Sequence, residues 1–525
     1  MADQSEAIAE AEAVLQILES GEGSKSNVME DFAVTVKKTE IIQRVSASEV
    51  IEMMHGGGSN TNSICLDART PKEYDEGRIP GALNLPIFTN EERVIVGTLY
   101  KQSGRAKAMT AGMEIVRPKF ESLVYTANAF VTAHHKRNGS NSDTNGTPVK
   151  IIVHCWRGGM RSSALAYLLQ VRCNFDVVVL DGGYKKFRHW ARLVYCYIPK
   201  DSSYSCNSKL KAENAKHKRE MRRNKAKNKG KLLHKEEKVK RFEGDGAEKR
   251  RLAIARREQM LEEDDKIAAE VAAAELVTAK SEWASKFSKP APKIVIVGGR
   301  SGSGKTRVLL ALRDELGQQI IDLEGLANHN GSAFGFVGHG VQPTNQQYGN
   351  NVAVEWSKLD PNLVVFIEDE GPSVGKVSTP PGLYQLMRNA SILVRLVIPQ
   401  AARIAVLLHD YTSVADKDGN GNPSAEWHAR MSEGARTLKK RIGKLKLDSL
   451  LTNLDDRNYE AFAETALSHY DSLYDNHIQN ATGSGNGAGV RAATAIDVVV
   501  DSSAIDVDGK EVGLQILEAI TRYQQ

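Results

Sequence analysis

"IIVHCWRGGMRSSALAYLLQ" (residues 151–170) passes from a short apolar run through a cysteine and two glycines into a segment with helical spacing. Another apolar run follows, "DVVVL" (176–180), and "SICLDART" (63–70) is a third, ending on an acid. Strand, loop, helix, strand is a βαβ unit, so the spacing predicts a parallel sheet with Cys155 at a strand end. Backbone N–H groups of a glycine turn before a helix converge on one point, and the helix N-terminus adds partial positive charge. Trp156, Gly158, Gly159 and Met160 complete this anion loop, and Arg157 and Arg161 add full charges. Such surroundings favour a thiolate, which is the nucleophile. A buried structural cysteine would need neither arginine.

A second α/β pattern starts at residue 291. "KIVIVGGRSGSGKTRVLLALRDEL" (293–316) is strand, glycine-rich loop and helix, and contains G-x-x-x-x-G-K-T from Gly299 to Thr306. In that context Ser301, Gly302, Ser303 and Gly304 present backbone N–H groups to phosphate, Lys305 reaches its far oxygens, and Thr306 can ligate Mg2+. "QQIIDLEGLA" and "NLVVFIEDE" read as two more strands ending in acids, with Asp322, Glu324, Glu368 and Asp369 as metal- or water-orienting candidates; "SILVRLVIP" (391–399) is another strand. No firm metal site is legible. Residues 321–348 form a long glycine-rich segment holding His329, Ser332, Gln342 and Pro343, and long ordered loops tend to be functional. Beyond 425 the pattern is mostly helical, apart from a loop at 480–489.

The 525 residues exceed one ordinary domain. Four segments are expected: an acidic tail (1–37), an α/β domain (38–202), a basic helical or disordered insert (203–290), and a phosphate-loop α/β domain with a helical C-terminal part (291–525). A polar loop is expected at 134–148. Net charge is only +5, yet about 20 of the roughly 50 residues from 209 to 257 are Lys or Arg, far above ordinary usage. That insert reads as a solvated linker or as an electrostatic arm for RNA. Five cysteines without a C-x-x-C pair argue against a disulfide framework or a compact zinc site and fit a reducing compartment. No leader and no membrane span is expected, so the reading is cytoplasmic.

The cysteine loop fits H-C-x5-R-S literally, the signature of cysteine-dependent phosphatases. Its flanks resemble rhodanese instead: Asp67, Arg69, Glu73-Tyr74, Gly77-Arg78-Ile79-Pro80-Gly81-Ala82 and Asn84, then "LDGGYKKF" (180–187). With "CWRGGMRS" and "GGYKKFR" before it and "GGRSGSGKT", "IDLEGLANHNGSAFG", "QPTNQQY" and "FIEDEGPSVGKVSTPPGLYQLM" after it, the chain resembles the tRNA 2-selenouridine synthases over roughly 63–200 and 291–410. The resemblance implies a rhodanese-like domain joined to a P-loop domain, acting on the wobble 2-thiouridine of tRNA. It implies geranyl diphosphate and selenophosphate as co-substrates, no tightly bound cofactor, Cys155 as the selenium-carrying nucleophile, and a selenophosphate-supplying enzyme as a partner. Asn330, Gly371 and "QQYGNN" (346–351) depart from the family pattern. Tyr184, Lys185, Lys186 and Arg188 are candidate tRNA contacts, because aromatics interleave with cations there. The alternatives are a rhodanese-type sulfurtransferase or Cdc25-like phosphatase fused to an NTPase, and a non-catalytic RNA-binding scaffold.

Overall fold

Two parallel five-stranded sheets carry the molecule. The computed structural model describes residues 42–56, 62–137, 149–195, 292–413, 415, 422–481, 494–500 and 508–524. The expected acidic tail and basic insert lie outside these, as does nearly all of the 480–489 loop.

The first sheet runs β1 (Gln43–Val45), β5 (Asp176–Leu180), β4 (Lys150–His154), β2 (Ser63–Asp67), β3 (Leu83–Asn84), all parallel. Helices α1 (Ala47–His55), α2 (Pro71–Glu76), α3 (Asn90–Val116), α4 (Phe120–Arg137), α5 (Met160–Cys173) and α6 (Gly183–Leu193) surround it. β2, β4 and β5 are buried on both faces, which is why they read as unbroken apolar runs. Ile151, Val153, Leu165, Leu169 and Val179 pack with Phe120 and Leu123 of α4 into one core. The polar loop expected at 134–148 starts later than read, because residues 134–137 finish α4.

The second sheet runs β12 (Thr494–Val499), β11 (Ile392–Val397), β6 (Ile294–Gly299), β8 (Val365–Glu368), β7 (Gln319–Ile321), again all parallel. The helices on this side are α7 (Lys305–Asp314), α8 (Leu323–Ala327), α9 (Asn345–Ser357), α10 (Pro381–Arg388), α11 (Gln400–Ser413) and α15 (Gly509–Gln524). The small hairpin of β9 (Ser373–Val374) and β10 (Val377–Ser378) is antiparallel. α12 (Ala425–Thr437), α13 (Lys439–Asp455) and α14 (Tyr459–Ala481) make a separate helical layer around Trp427, Met431, Leu450 and Phe462. The reading "mostly helical beyond 425" therefore misses β12. That strand adds Val498 and Val500 to the core beneath the sheet. The 321–348 segment is likewise part helix, opening with α8 and closing into α9.

Candidate active site

Cys155 follows directly on β4 and is 3% exposed. Its loop is clasped from behind by the turn after β5. Tyr184 N donates to the Cys155 carbonyl at 2.8 Å and Lys185 N to the Trp156 carbonyl at 2.9 Å. The approach is backbone on backbone. A Cβ on Gly158 (φ 63°) would come within 2.7 Å of the Leu180 carbonyl, and one on Gly183 (φ 58°) would strike the Cys155 carbonyl. Only glycine fits either place. The Cys155 Sγ then lies 3.2 Å from Ser162 Oγ, in the first turn of α5. Trp156, Arg157, Gly159 and Met160 are exposed along the rim.

Cations ring this loop. Arg161 is bonded to Glu73 at 2.7 Å and 3.3 Å. Burial lowers the Arg161 pKa, but the Glu73 carboxylate outweighs it and holds the guanidinium above its ordinary value. Arg44 donates to the Gly158 carbonyl at 2.9 Å and to Ser163 Oγ at 3.3 Å. Sequence reasoning missed Arg44, since a cation in a three-residue edge strand gives no signal. Arg93 feels Arg161, Glu73 and Cys155, and burial depresses its pKa first. Asp67 and Arg69 are buried beneath, paired at 2.6 Å, and Arg69 also donates to the Gly77 carbonyl at 2.7 Å. Burial works to raise the Asp67 carboxyl, yet His154 and Arg69 carry it below its usual value. Asn84 closes this frame by donating to the carbonyls of Asp67 and Arg69.

The phosphate loop leaves β6 in the expected way. Gly299, Gly302 and Gly304 have φ of 158°, 78° and 73°. At Gly302 a Cβ would meet the Arg403 carbonyl at 2.6 Å. Arg403, itself buried, donates to the Ser301 carbonyl at 3.1 Å and pairs with Asp471 at 2.7 Å, which fixes the loop to α11 and α14. Lys305 Nζ lies 3.0 Å from the Gly299 carbonyl, folded over its own loop. Ser303 Oγ is buried with no hydrogen-bond partner among the described residues.

Carboxyls crowd the next position. Thr306 Oγ1 lies 2.8 Å from Glu368 Oε1 and 3.2 Å from Glu324 Oε2. Burial and then the neighbouring Glu370 push Glu324 up to about 8. Burial and Glu368 push Glu370 to about 7, and Glu368 itself is raised well above the carboxylate range by burial and Glu324. The second Glu368 oxygen is buried without a hydrogen-bond partner among the described residues. Hydroxyl and carboxyl oxygens of this kind suit Mg2+. Among the described residues no three His, Cys, Asp or Glu side chains are placed to hold a metal alone. An ion held by Thr306 and Glu368 would therefore complete its shell from substrate phosphate and water, and would supply charge neutralisation there. Glu370 was not singled out from sequence, although it adjoins two candidates in "FIEDE". Asp322 serves locally instead, capping α8 by accepting from Gly325 N at 2.7 Å. The backbone N–H of Asp369 donates to the Val297 carbonyl at 2.9 Å. His329 is packed between Gly335 and Gly375.

Of the four α6 residues expected at RNA, two are exposed and two are engaged within the protein. Tyr184 is fully buried. Its hydroxyl accepts from Asn350 Nδ2 at 2.8 Å and Gln346 Nε2 at 3.0 Å, and Arg69 lies 3.8 Å over its ring. Arg188 donates to the Gln346 carbonyl at 3.1 Å and to Asn350 Oδ1. Arg78 N donates to Gln347 Oε1, and Asn350 Nδ2 donates to the Arg78 carbonyl. Tyr184 and Arg188 thus join α6 to α9. Only Lys185 and Lys186 are exposed, and Lys186 pairs with Asp181 at 2.5 Å. Their partners lie about 160 residues away in the chain, which no local pattern could reveal.

Comparison with known proteins agrees with this architecture. Residues 46–189 match the rhodanese-like domain family and residues 292–485 match the tRNA 2-selenouridine synthase AAA domain. A tRNA 2-selenouridine synthase of Sulfurovum sp. is 26% identical over 80% of this chain and 89% of its own. That of Hydrogenovibrio crunogenus is 25% identical over 80% and 90%, and that of Shewanella piezotolerans 24% over 83% and 93%. No helix among the described residues is long and apolar enough to cross a membrane. The chain thus carries a rhodanese-like domain followed by a tRNA 2-selenouridine synthase AAA domain.

Proposed function

We propose that this chain converts a 2-thiouridine of tRNA into 2-selenouridine in two steps, using geranyl diphosphate and then selenophosphate. In the first step the thiouridine sulfur attacks the C1 carbon of geranyl diphosphate. The S–C bond forms, the C–O bond breaks, and diphosphate leaves. Lys305, the loop N–H groups and an Mg2+ at Thr306 and Glu368 would take up the charge growing on that leaving group. An apolar cavity lined by Phe334, Leu407, Tyr411, Trp427, Met431 and Phe462 also includes Ser301 of the phosphate loop. A phosphate cradle beside an apolar hollow suits a ligand with an anionic head and a hydrocarbon tail.

In the second step the Cys155 loop binds selenophosphate as an anion and positions its selenium, still bonded to phosphorus, at C2 of the alkylated base; Cys155 forms no bond to it. The C2–Se bond forms, the C2–S bond breaks and geranylthiolate leaves. Water then cleaves Se–P, releasing phosphate, so no electrons change hands. Alkylation turns a poor sulfur leaving group into a better one, which is why the sulfur is modified before it is replaced. A neighbouring enzyme that makes selenophosphate would supply the donor.

The observation that carries this reading is the joining of a cysteine anion loop to a phosphate loop within one compact unit. The test is nucleoside mass spectrometry on a 2-thiouridine tRNA given the pure protein, then geranyl diphosphate, then selenophosphate. The expected products are a geranylated nucleoside and then 2-selenouridine. A tRNA left unmodified by both additions rejects the reading.

A further inference from the structure

α3 is not one rod. Gly104, at its middle, has φ 86° and ψ 179°, outside any helix. In a straight helix Val96 and Gly112 would stand about 24 Å apart. Here a Cβ on Gly112 would lie 3.9 Å from the Val96 side chain and 3.4 Å from the Phe88 ring. The segment therefore folds back at Gly104 into two antiparallel arms. Every residue from Tyr100 to Lys107 is exposed at the tip.

That tip has one sign of charge. It carries Lys101, Arg105 and Lys107, and no acid occurs between Arg93 and Glu114. Solvated helical surfaces usually mix both signs, often as pairs one turn apart. No carboxylate among the described residues pairs with these three cations. The hairpin also stands beside the cysteine loop: Arg105 Nη2 lies 3.9 Å from the Met160 sulfur. Exposed rings flank the cations, with Tyr100 59% and Trp156 38% accessible. Cations for phosphates beside aromatic faces for unstacked bases are what single-stranded RNA requires.

We propose that the Gly104 hairpin is the surface on which the RNA substrate docks, its backbone on Lys101, Arg105 and Lys107 and its reacting loop led past Trp156 toward Cys155. The proposal rests on the reading of the substrate as RNA. It moves the contact away from α6, whose aromatics are buried.

The test is binding of an anticodon stem-loop RNA carrying 2-thiouridine to the full chain, titrated with salt. Lys101→Gln/Arg105→Gln/Lys107→Gln should weaken binding roughly tenfold or more and reduce the log–log salt slope by about 2, the loss of three single-strand phosphate contacts. An unchanged melting temperature and an unchanged rate of Cys155 alkylation by iodoacetamide would show the fold and loop intact. Lys101→Gln alone, at an exposed position, should reduce the slope by roughly 0.7 and serves if the triple variant melts. Lys185→Gln/Lys186→Gln, on α6, should change the slope less than the hairpin variant. If the wild type binds and the hairpin variants keep its affinity and slope, the proposal is overturned while the RNA reading stands. If the wild type binds no RNA, both fall together.

Discussion

Past the end of β4, cations gather round a sulfur; past the end of β6, carboxyls gather round a hydroxyl. The backbone device is shared, a glycine turn feeding a helix N-terminus at the end of a parallel strand. The surroundings are opposite. Arg44, Arg93 and Arg161 stand at the cysteine loop, and Glu324, Glu368 and Glu370 at the phosphate loop. A bare nest of N–H groups accepts any anion. On the proposed function, what is packed around it decides whether the anion arrives alone, as at Cys155, or with a cation, as at Thr306.

The severest way to break the comparison is Cys155→Ala. If the two loops divide the two steps, this variant should lose 2-selenouridine formation altogether while still geranylating tRNA, both read by nucleoside mass spectrometry. Selenation surviving the substitution would end the assignment of the cysteine loop. Lys305→Ala is the reciprocal test. It should slow geranylation by about 100-fold, a usual loss when one donor to a charged transition state is removed. Selenation of tRNA that is already geranylated should continue, and equal loss in both steps would show that the loops are not separable.

Asn350→Ala sharpens the comparison at the point where the halves meet. It leaves Tyr184 and Arg188 short of partners in a buried setting, and should cost about 2 kcal/mol in denaturant unfolding. Because Tyr184 also supports the Cys155 carbonyl, selenation should suffer more than geranylation. The smallest effect concerns pH. Glu324 and Glu370 keep their protons to about 8 and about 7 in the folded chain, above the ordinary carboxylate value. Between about pH 5 and 8 the folded state thus binds more protons than the unfolded one, and stability falls as pH rises. Melting of the ligand-free chain should drop over that range, and Mg2+ with diphosphate should restore it. A flat profile would mean that the carboxyls are solvated.

Both loops were legible because their chemistry needs fixed residues within a few positions, and the strands before them are plain apolar runs. The parallel sheets followed from the order of those runs. β12 was not legible, since it joins β11 as an edge strand from about 100 residues away. The Gly104 hairpin was hidden for another reason: "TLYKQSGRAKA" (98–108) is equally consistent with one continuous helix, and only the contact of Gly112 with Val96 shows the return. The α6 aromatics were misread because interleaved cations suggest exposure, whereas Tyr184 and Phe187 are wholly covered. Asn330 has a local role, its Oδ1 lying 2.8 Å from His339 Nε2.

The joint between α6 and α9 also bears on the chain's covalent continuity. Tyr195, the last described residue before 196–291, meets Trp356 edge to face at 5.7 Å, and the hydrogen bonds of Asn350 reach back 166 and 272 positions. The halves are thus attached by their own surfaces on the near side of that segment. The peptide bond between them is therefore not the halves' sole attachment.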